Sequence, residues 1–111
     1  MRIQCERDGA VMVVALEGRL DTMTAPVLDH QVERLLQDEE KVILMDLSCL
    51  DYISSAGLRS LLMLAKQLEA RTGRLALCGL GEMIQDVFQV AGFDTIFTIC
   101  QRRTDGIACL T

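Results

Sequence analysis

The strongest constraint on the fold of this chain is a hydrophobic period that switches back and forth along it. Val11-Met12-Val13-Val14-Ala15-Leu16 is an unbroken, β-branched apolar run, the pattern of a strand covered on both faces. The next segment carries Leu28, Val32, Leu35 and Leu36 at helical spacing, with Asp29, Glu33 and Gln37 on the opposite side. Val42–Leu47 repeats the strand pattern, and Gly57–Arg71 returns to helical spacing through Leu58, Leu61, Leu62, Ala65 and Leu68. Leu75–Cys78, Met83–Val90 and Ile96–Cys100 then read as strand, short helix and strand. Strand–helix–strand repetition needs crossover connections and therefore a largely parallel sheet.

The punctuation agrees with this division. Ile3–Cys5 is a weak first strand, and Asp8-Gly9 is a hairpin turn that pairs it antiparallel with the next. Thr24-Ala25-Pro26 starts a helix, with the threonine as cap and proline in the first turn. Gly73 and Gly92 stand where the second and third helices should be capped. Thr104–Leu110 is a stub helix that carries Gly106. The expected fold is α/β, a single domain over residues 1–111. It should have a mostly parallel mixed sheet of about five strands, an antiparallel N-terminal hairpin and helices packed mainly on one face.

Composition narrows the function. The chain has 111 residues, 50% of them apolar and 24% charged, which excludes a disordered or low-complexity chain. Eleven basic against sixteen acidic residues give a net charge of −5, a field that repels phosphate backbones, so no nucleic-acid partner is expected. The apolar runs Val11–Leu16 and Val42–Met45 are too short to cross a bilayer, and the first six residues form no signal-peptide hydrophobic region. A cytoplasmic location without membrane insertion is expected. The five cysteines are odd in number, widely spaced and without a C-x-x-C pair, so neither a disulfide framework nor a metal site is expected. Cys78 and Cys100 lie in apolar runs and read as small core residues.

Catalytic signatures are scarce. His30 is the single histidine, on the polar side of the first helix, and reads as a solvated residue. There is no nucleophile elbow, no H-E-x-x-H and no lysine after a glycine-rich loop. Gly79-Leu80-Gly81 joins a strand to a helix, where phosphates can bind, but a tight turn accounts for two glycines equally well. Met12, Met45 and Met63 read as core fillers, and Met83 stands at the start of a helix beside the strand ends. No cofactor is expected, and the chain is not expected to be an enzyme.

The informative stretch is Asp46-Leu47-Ser48-Cys49-Leu50-Asp51-Tyr52-Ile53-Ser54-Ser55-Ala56-Gly57-Leu58. A short loop after Ser48 should bring two serines to the start of a helix, at the carboxyl edge of a central strand. That edge is where open α/β sheets meet ligands and partners. Taken alone, the serine pair reads as a helix N-cap, which stabilises by about 1 kcal/mol. Asp21, following the earlier strand, should emerge at the same edge as Asp46, so that carboxylates and hydroxyls converge there.

Leu16-Glu17-Gly18-Arg19-Leu20-Asp21 with Thr24-Ala25-Pro26, then Asp46-Leu47-Ser48 and Asp51-Tyr52-Ile53-Ser54-Ser55-Ala56-Gly57-Leu58, resembles the STAS domain of stand-alone bacterial anti-sigma factor antagonists. The likeness spans essentially the whole chain and includes the order of elements. It implies a STAS-like fold and a partner-switching role. The unphosphorylated antagonist binds an anti-sigma factor that is also a serine/threonine kinase, phosphorylation releases it, and a serine phosphatase resets it. Aligning Gly57-Leu58 with the family's glycine-leucine pair implies Ser55 as phosphoacceptor, with Ser54 as the alternative. The implied partner surface comprises Asp21, Asp46, Ser54, Ser55, Gly57, Leu58 and Arg59. The chain departs from the family pattern in three places. Ser54 replaces the acid before the acceptor, Ala56 replaces the hydroxyl after it, and Arg59 stands where glycine is common. A second implication of the same resemblance is a structural subunit of a lipid transporter complex, docked on its ATPase and never phosphorylated.

Overall fold

The computed structural model describes residues 1–111. Strands β1 (Arg2–Asp8), β2 (Val11–Leu20), β3 (Val42–Ile53), β4 (Arg74–Cys78) and β5 (Ile99–Cys100) form one sheet in chain order. β1 and β2 make the antiparallel hairpin, and the remaining neighbours are parallel. Helices α1 (Ala25–Gln37), α2 (Ser55–Ala70) and α3 (Glu82–Ala91) connect the parallel strands, and α4 (Arg103–Leu110) ends the chain. Parallel strands laid down in chain order by crossovers of one hand collect their helices on one face. The larger core cluster accordingly joins Leu28 and Leu35 of α1, Leu61 and Leu64 of α2, and Phe88 of α3 to Val14, Met45 and Leu77 of the sheet. A smaller cluster on the opposite face holds Val11, Val13, Leu44, Ala76 and Cys78 under Leu110 of α4.

Two strands run further than their apolar runs suggest. β2 continues to Leu20 and β3 to Ile53, so the loop expected after Ser48 is strand. Register shifts between Ala15 and Glu17 and between Gly18 and Arg19 carry the pairing through two irregularities. Beyond them only one face is covered. Leu20, Leu50 and Ile53 are buried, while Glu17, Arg19, Ser48, Cys49 and Tyr52 are exposed, and this polar alternation hides the extension from a search for apolar runs. β5 is shorter than expected. Phe93–Thr95 form a 3₁₀ turn, and Phe97 leaves the strand to pack edge-on against Phe88, ring centroids 5.8 Å apart.

The helix ends hold two further differences. Gly92 caps α3 in the left-handed region as expected. At the end of α2 the left-handed residue is Thr72 (φ 55°), not Gly73. The amides of Thr72 and Gly73 donate to the carbonyls of Glu69 and Leu68 at 3.1 and 2.7 Å, a Schellman closure. Gly73 is required by proximity instead: a Cβ there would lie 2.5 Å from the Lys41 carbonyl oxygen. Met45 is fully buried and Met83 exposed, but Met63 is 48% exposed and is not a core filler.

Candidate functional site

The ends of β2 and β3 lie side by side, with Leu20 opposite Ile53. The Ser54 amide extends this pairing by donating to the Leu20 carbonyl at 2.9 Å. α2 starts on the next residue. The Ser54 hydroxyl oxygen accepts from the Gly57 amide at 3.3 Å and caps the helix, as its extended backbone (φ −97°, ψ 174°) allows. Ser55, the first helical residue, is exposed and makes no side-chain hydrogen bond. One serine is thus engaged in the cap and the other presents an unengaged hydroxyl to solvent.

Gly57 lets the helix approach this closely. A Cβ there would meet Leu20 Cγ at 2.7 Å and Ile53 Cγ1 and the Leu20 carbonyl oxygen at 2.9 Å. Gly57 and Leu58 are both buried. They support the serine edge from beneath.

Asp21 stands at the same edge, one residue beyond Leu20. Its Oδ1 accepts from the amides of Met23 and Thr24 at 3.0 and 3.1 Å, and its Oδ2 lies 3.6 Å from Arg19 Nε. In return the Asp21 amide donates to Thr24 Oγ1 at 2.8 Å, and that hydroxyl donates to the Arg19 carbonyl at 2.8 Å. Thr24 therefore turns back toward the strand, and its side chain does not cap α1 as expected. Desolvation opposes ionisation of Asp21. The Thr24 and Met23 hydrogen bonds and the Arg19 charge outweigh it and hold the carboxyl below the usual aspartate range. The Arg19 guanidinium also lies 4.3 Å above the Tyr52 ring.

Asp46 does not join this group. It pairs with Ala15, five residues before Leu20 on β2, which puts it about 16 Å from the serine edge at the usual strand rise. Its carboxylate faces α4. Arg103 Nη2 and Nε donate to Oδ2 at 2.8 and 3.1 Å, and the Ser48 hydroxyl and amide donate to Oδ1 at 2.7 and 3.0 Å. Burial opposes its charge, but the Ser48 and Arg103 hydrogen bonds hold its carboxyl below the usual range. The expected convergence of Asp21 and Asp46 is corrected. The extended β3 separates them, and Arg103 gives Asp46 a structural partner that nothing local in the sequence signals.

Arg59 is exposed and makes no ion pair. It lines a groove of about 570 Å³ between α1 and α2 that begins beside Ser55. The small side chains of Ala25, Ala56 and Ser60 leave the space between the helices unfilled there, and Asp29 and Glu33 of α1 line it opposite Arg59 and Met63 of α2. With Met23 at 83% and Val27 at 52% exposure, this end of the molecule combines apolar and charged side chains with no partner in the fold. The apolar and charged residues of α1 carry no sequence signal beyond amphipathicity, so the groove becomes visible only when the two helices are placed side by side.

The Gly79-Leu80-Gly81 turn has a structural explanation. Gly79 adopts φ +73°, and a Cβ there would come within 2.8 Å of Ser48 Cβ. His30 is exposed. No helix is long and apolar enough to cross a membrane.

The STAS domain family model matches residues 2–106. The chain is 34% identical over 93% of its length to BtrV of Bordetella bronchiseptica, a protein named as an anti-sigma factor antagonist, and covers 89% of that relative. Its structure superposes with a TM-score of 0.93 on a Thermotoga maritima protein named in the same way, at 18% identity, over 97% of this chain and 93% of the other. Bacillus SpoIIAA in its phosphorylated form matches with a TM-score of 0.76 at 20% identity, over 99% and 100% of the two chains.

Proposed function

The chain belongs to the STAS domain family, and from that membership we propose that it is an anti-sigma factor antagonist of a partner-switching pathway. In its unphosphorylated form it binds an anti-sigma factor that is also a serine/threonine kinase. Phosphorylation of Ser55 ends the complex, and a serine phosphatase restores the starting state. The relative named as an anti-sigma factor antagonist supports the role. The observation that carries the assignment of the acceptor is the division of labour between the two serines. The Ser54 oxygen is engaged by the Gly57 amide, and the Ser55 hydroxyl is exposed at the first position of α2. The reading keeps the protein in the cytoplasm, where sigma factors act.

The chemistry of release follows from charge. A hydroxyl is small and neutral, so a partner can cover it at little cost. Phosphorylation adds a charge of about −1.5 to −2 beside Asp21. A desolvated charge without compensation costs an interface about 2–5 kcal/mol, equivalent to roughly thirty- to several-thousand-fold in affinity. The isolated domain tolerates the same group, because the free amides at the start of α2 favour an anion. The Arg59 side chain, one turn on, is unpaired and within reach along the helix. Release therefore needs no refolding.

The deciding experiment is incubation of the protein with its cognate kinase and ATP, followed by mass mapping. One phosphate on Ser55 is expected. A phosphate on Ser54 would refute the assignment of the acceptor, and a stable, unmodified complex in ATP would refute the switch.

A further inference from the structure

Strand β1 leaves one side of its backbone without a partner. It is an edge of the sheet, seven residues long, and pairs with β2 in unbroken register from Arg2–Glu17 to Asp8–Val11. No other backbone group bonds to it, and neither a bulge nor a proline interrupts it. The hairpin fixes which groups face outward. Gly9-Ala10 is a two-residue loop with positive φ (60°) at Gly9 alone, a type II′ turn. The Asp8 carbonyl therefore accepts from the Val11 amide. Alternation along an antiparallel pair then turns the backbone groups of Asp8, Glu6, Gln4 and Arg2 toward β2. Those of Arg7, Cys5 and Ile3 point away from the sheet. The charged side chains of β1 divide in a different way. Arg7 pairs with Glu40, and Glu6 lies 3.7 Å from Arg103 Nη1. Arg2 and Asp8, at opposite ends of the strand, are exposed and make no ion pair within the chain.

We propose that β1 is a self-association edge, which pairs antiparallel with β1 of a second copy about a twofold axis at Cys5. Centring there uses the whole strand. Ile3 and Arg7 of one copy exchange backbone bonds with Arg7 and Ile3 of the other, and the two Cys5 residues with each other, about six hydrogen bonds in all. The intervening pairs are the non-hydrogen-bonded ones, in which side chains stand closest. They set Arg2 opposite Asp8 and Gln4 opposite Glu6, on both sides of the axis. The two charges left unpaired in the single chain thus meet their complements, and no like charges face each other. Centring on Glu6 would oppose two glutamates, and centring on Gln4 would leave Asp8 outside the ladder. Charged side chains ordinarily guard a free edge. Here their order rejects a parallel copy, which would set like against like, and admits an antiparallel one. β1 begins beside Glu17, toward the serine end of β2, so the seam sends the serine edges of the two copies in opposite directions.

The test is sedimentation equilibrium of the intact protein in dithiothreitol, which removes disulfide-linked dimers. The mass is expected to rise with concentration from 12.3 kDa toward twice that value. Cys5→Pro deletes an outward amide and leaves the β2 ladder intact, so it should abolish the dimer while circular dichroism shows a folded chain. Arg2→Asp and Asp8→Arg should each weaken association about tenfold, although they move the net charge in opposite directions. The double exchange restores both pairs and should restore the dimer. A single chain at every concentration would overturn the proposal and leave the edge to a strand of a different protein. A dimer that survives Cys5→Pro would place the contact elsewhere and overturn it too, and a double exchange no tighter than the single ones would refute the register.

Discussion

The backbone amide of Ser54 donates to the carbonyl of Leu20 at 2.9 Å, the last link of the β2–β3 ladder before α2 begins. This bond fixes the first turn of α2 to the sheet and sets the two serines in different environments. Substituting each one should separate stability from modification. Ser54→Ala removes the cap and should cost about 1 kcal/mol, lowering the melting temperature by roughly 4 °C. Ser55→Ala should stay within about 0.5 kcal/mol of the parent yet accept no phosphate and remain bound to the kinase in ATP. Thermal denaturation and a phosphorylation assay on the same two proteins check both halves. Equal losses of stability would mean that both hydroxyls are structural.

Gly57 should resist enlargement more than any other residue near the serines. The added methyl of Gly57→Ala meets Leu20 and Ile53 atoms at 2.7–2.9 Å, including the carbonyl oxygen that receives the Ser54 amide. Overpacking of this kind costs about 1–3 kcal/mol. Helix propensity alone would favour alanine by roughly 1 kcal/mol, so a stabilised variant in urea titration would show that the contact is relieved cheaply.

The Asp46–Arg103 pair predicts a defined response to acid. Asp46 titrates below its unfolded value, so the folded state binds its proton more weakly than the unfolded state does. Its contribution to stability is then complete above the ordinary aspartate range near pH 4 and is lost as pH falls through the depressed folded value. Arg103→Met should cost about 1.5–3 kcal/mol at neutral pH. It should also move the acid loss to higher pH, because one of the interactions holding the carboxyl down is gone. Urea unfolding from pH 3 to 7 reads both effects. Parallel pH profiles for parent and variant would contradict the pairing.

The end of α2 predicts opposite signs at adjacent positions. Thr72 holds a β-branched residue at φ 55°, a conformation that costs about 1–2 kcal/mol for a residue with a Cβ. Thr72→Gly relieves it and should raise the urea midpoint, even after the extra unfolded-state entropy of glycine. Gly73→Ala pushes a methyl against the Lys41 carbonyl at 2.5 Å and should lower it. The reverse pattern would restore Gly73 as the left-handed cap.

Much of the architecture was legible in the residues because burial imposes a period. Leu28, Val32, Leu35 and Leu36 mark the inner face of α1, and all four are buried. The order of elements, the N-terminal hairpin and the shared helical face follow from such patterns. Periodicity is lost where burial is one-sided or broken. The outer halves of β2 and β3 read as loop because Glu17, Arg19, Ser48 and Asp51 interrupt the apolar run, and the pairing that makes them strand belongs to the partner strand. Thr24 read as a side-chain cap, but its hydroxyl turns back to the Arg19 carbonyl, and the first-turn amides of Val27 and Leu28 donate to the Thr24 carbonyl instead.

What the amino-acid sequence determined by itself was the layering of the fold and the presence of a serine pair before a helix. Both are recorded in side-chain chemistry at short chain separation. The tertiary structure alone decided which serine caps the helix, which carboxylate stands beside the pair, and where the other one goes. Asp46 and Arg103 are 57 residues apart, and their meeting depends on strand register and on a helix folding back across the sheet. Local periodicity cannot encode such a contact, because it follows from the assembled sheet and not from any one of its segments.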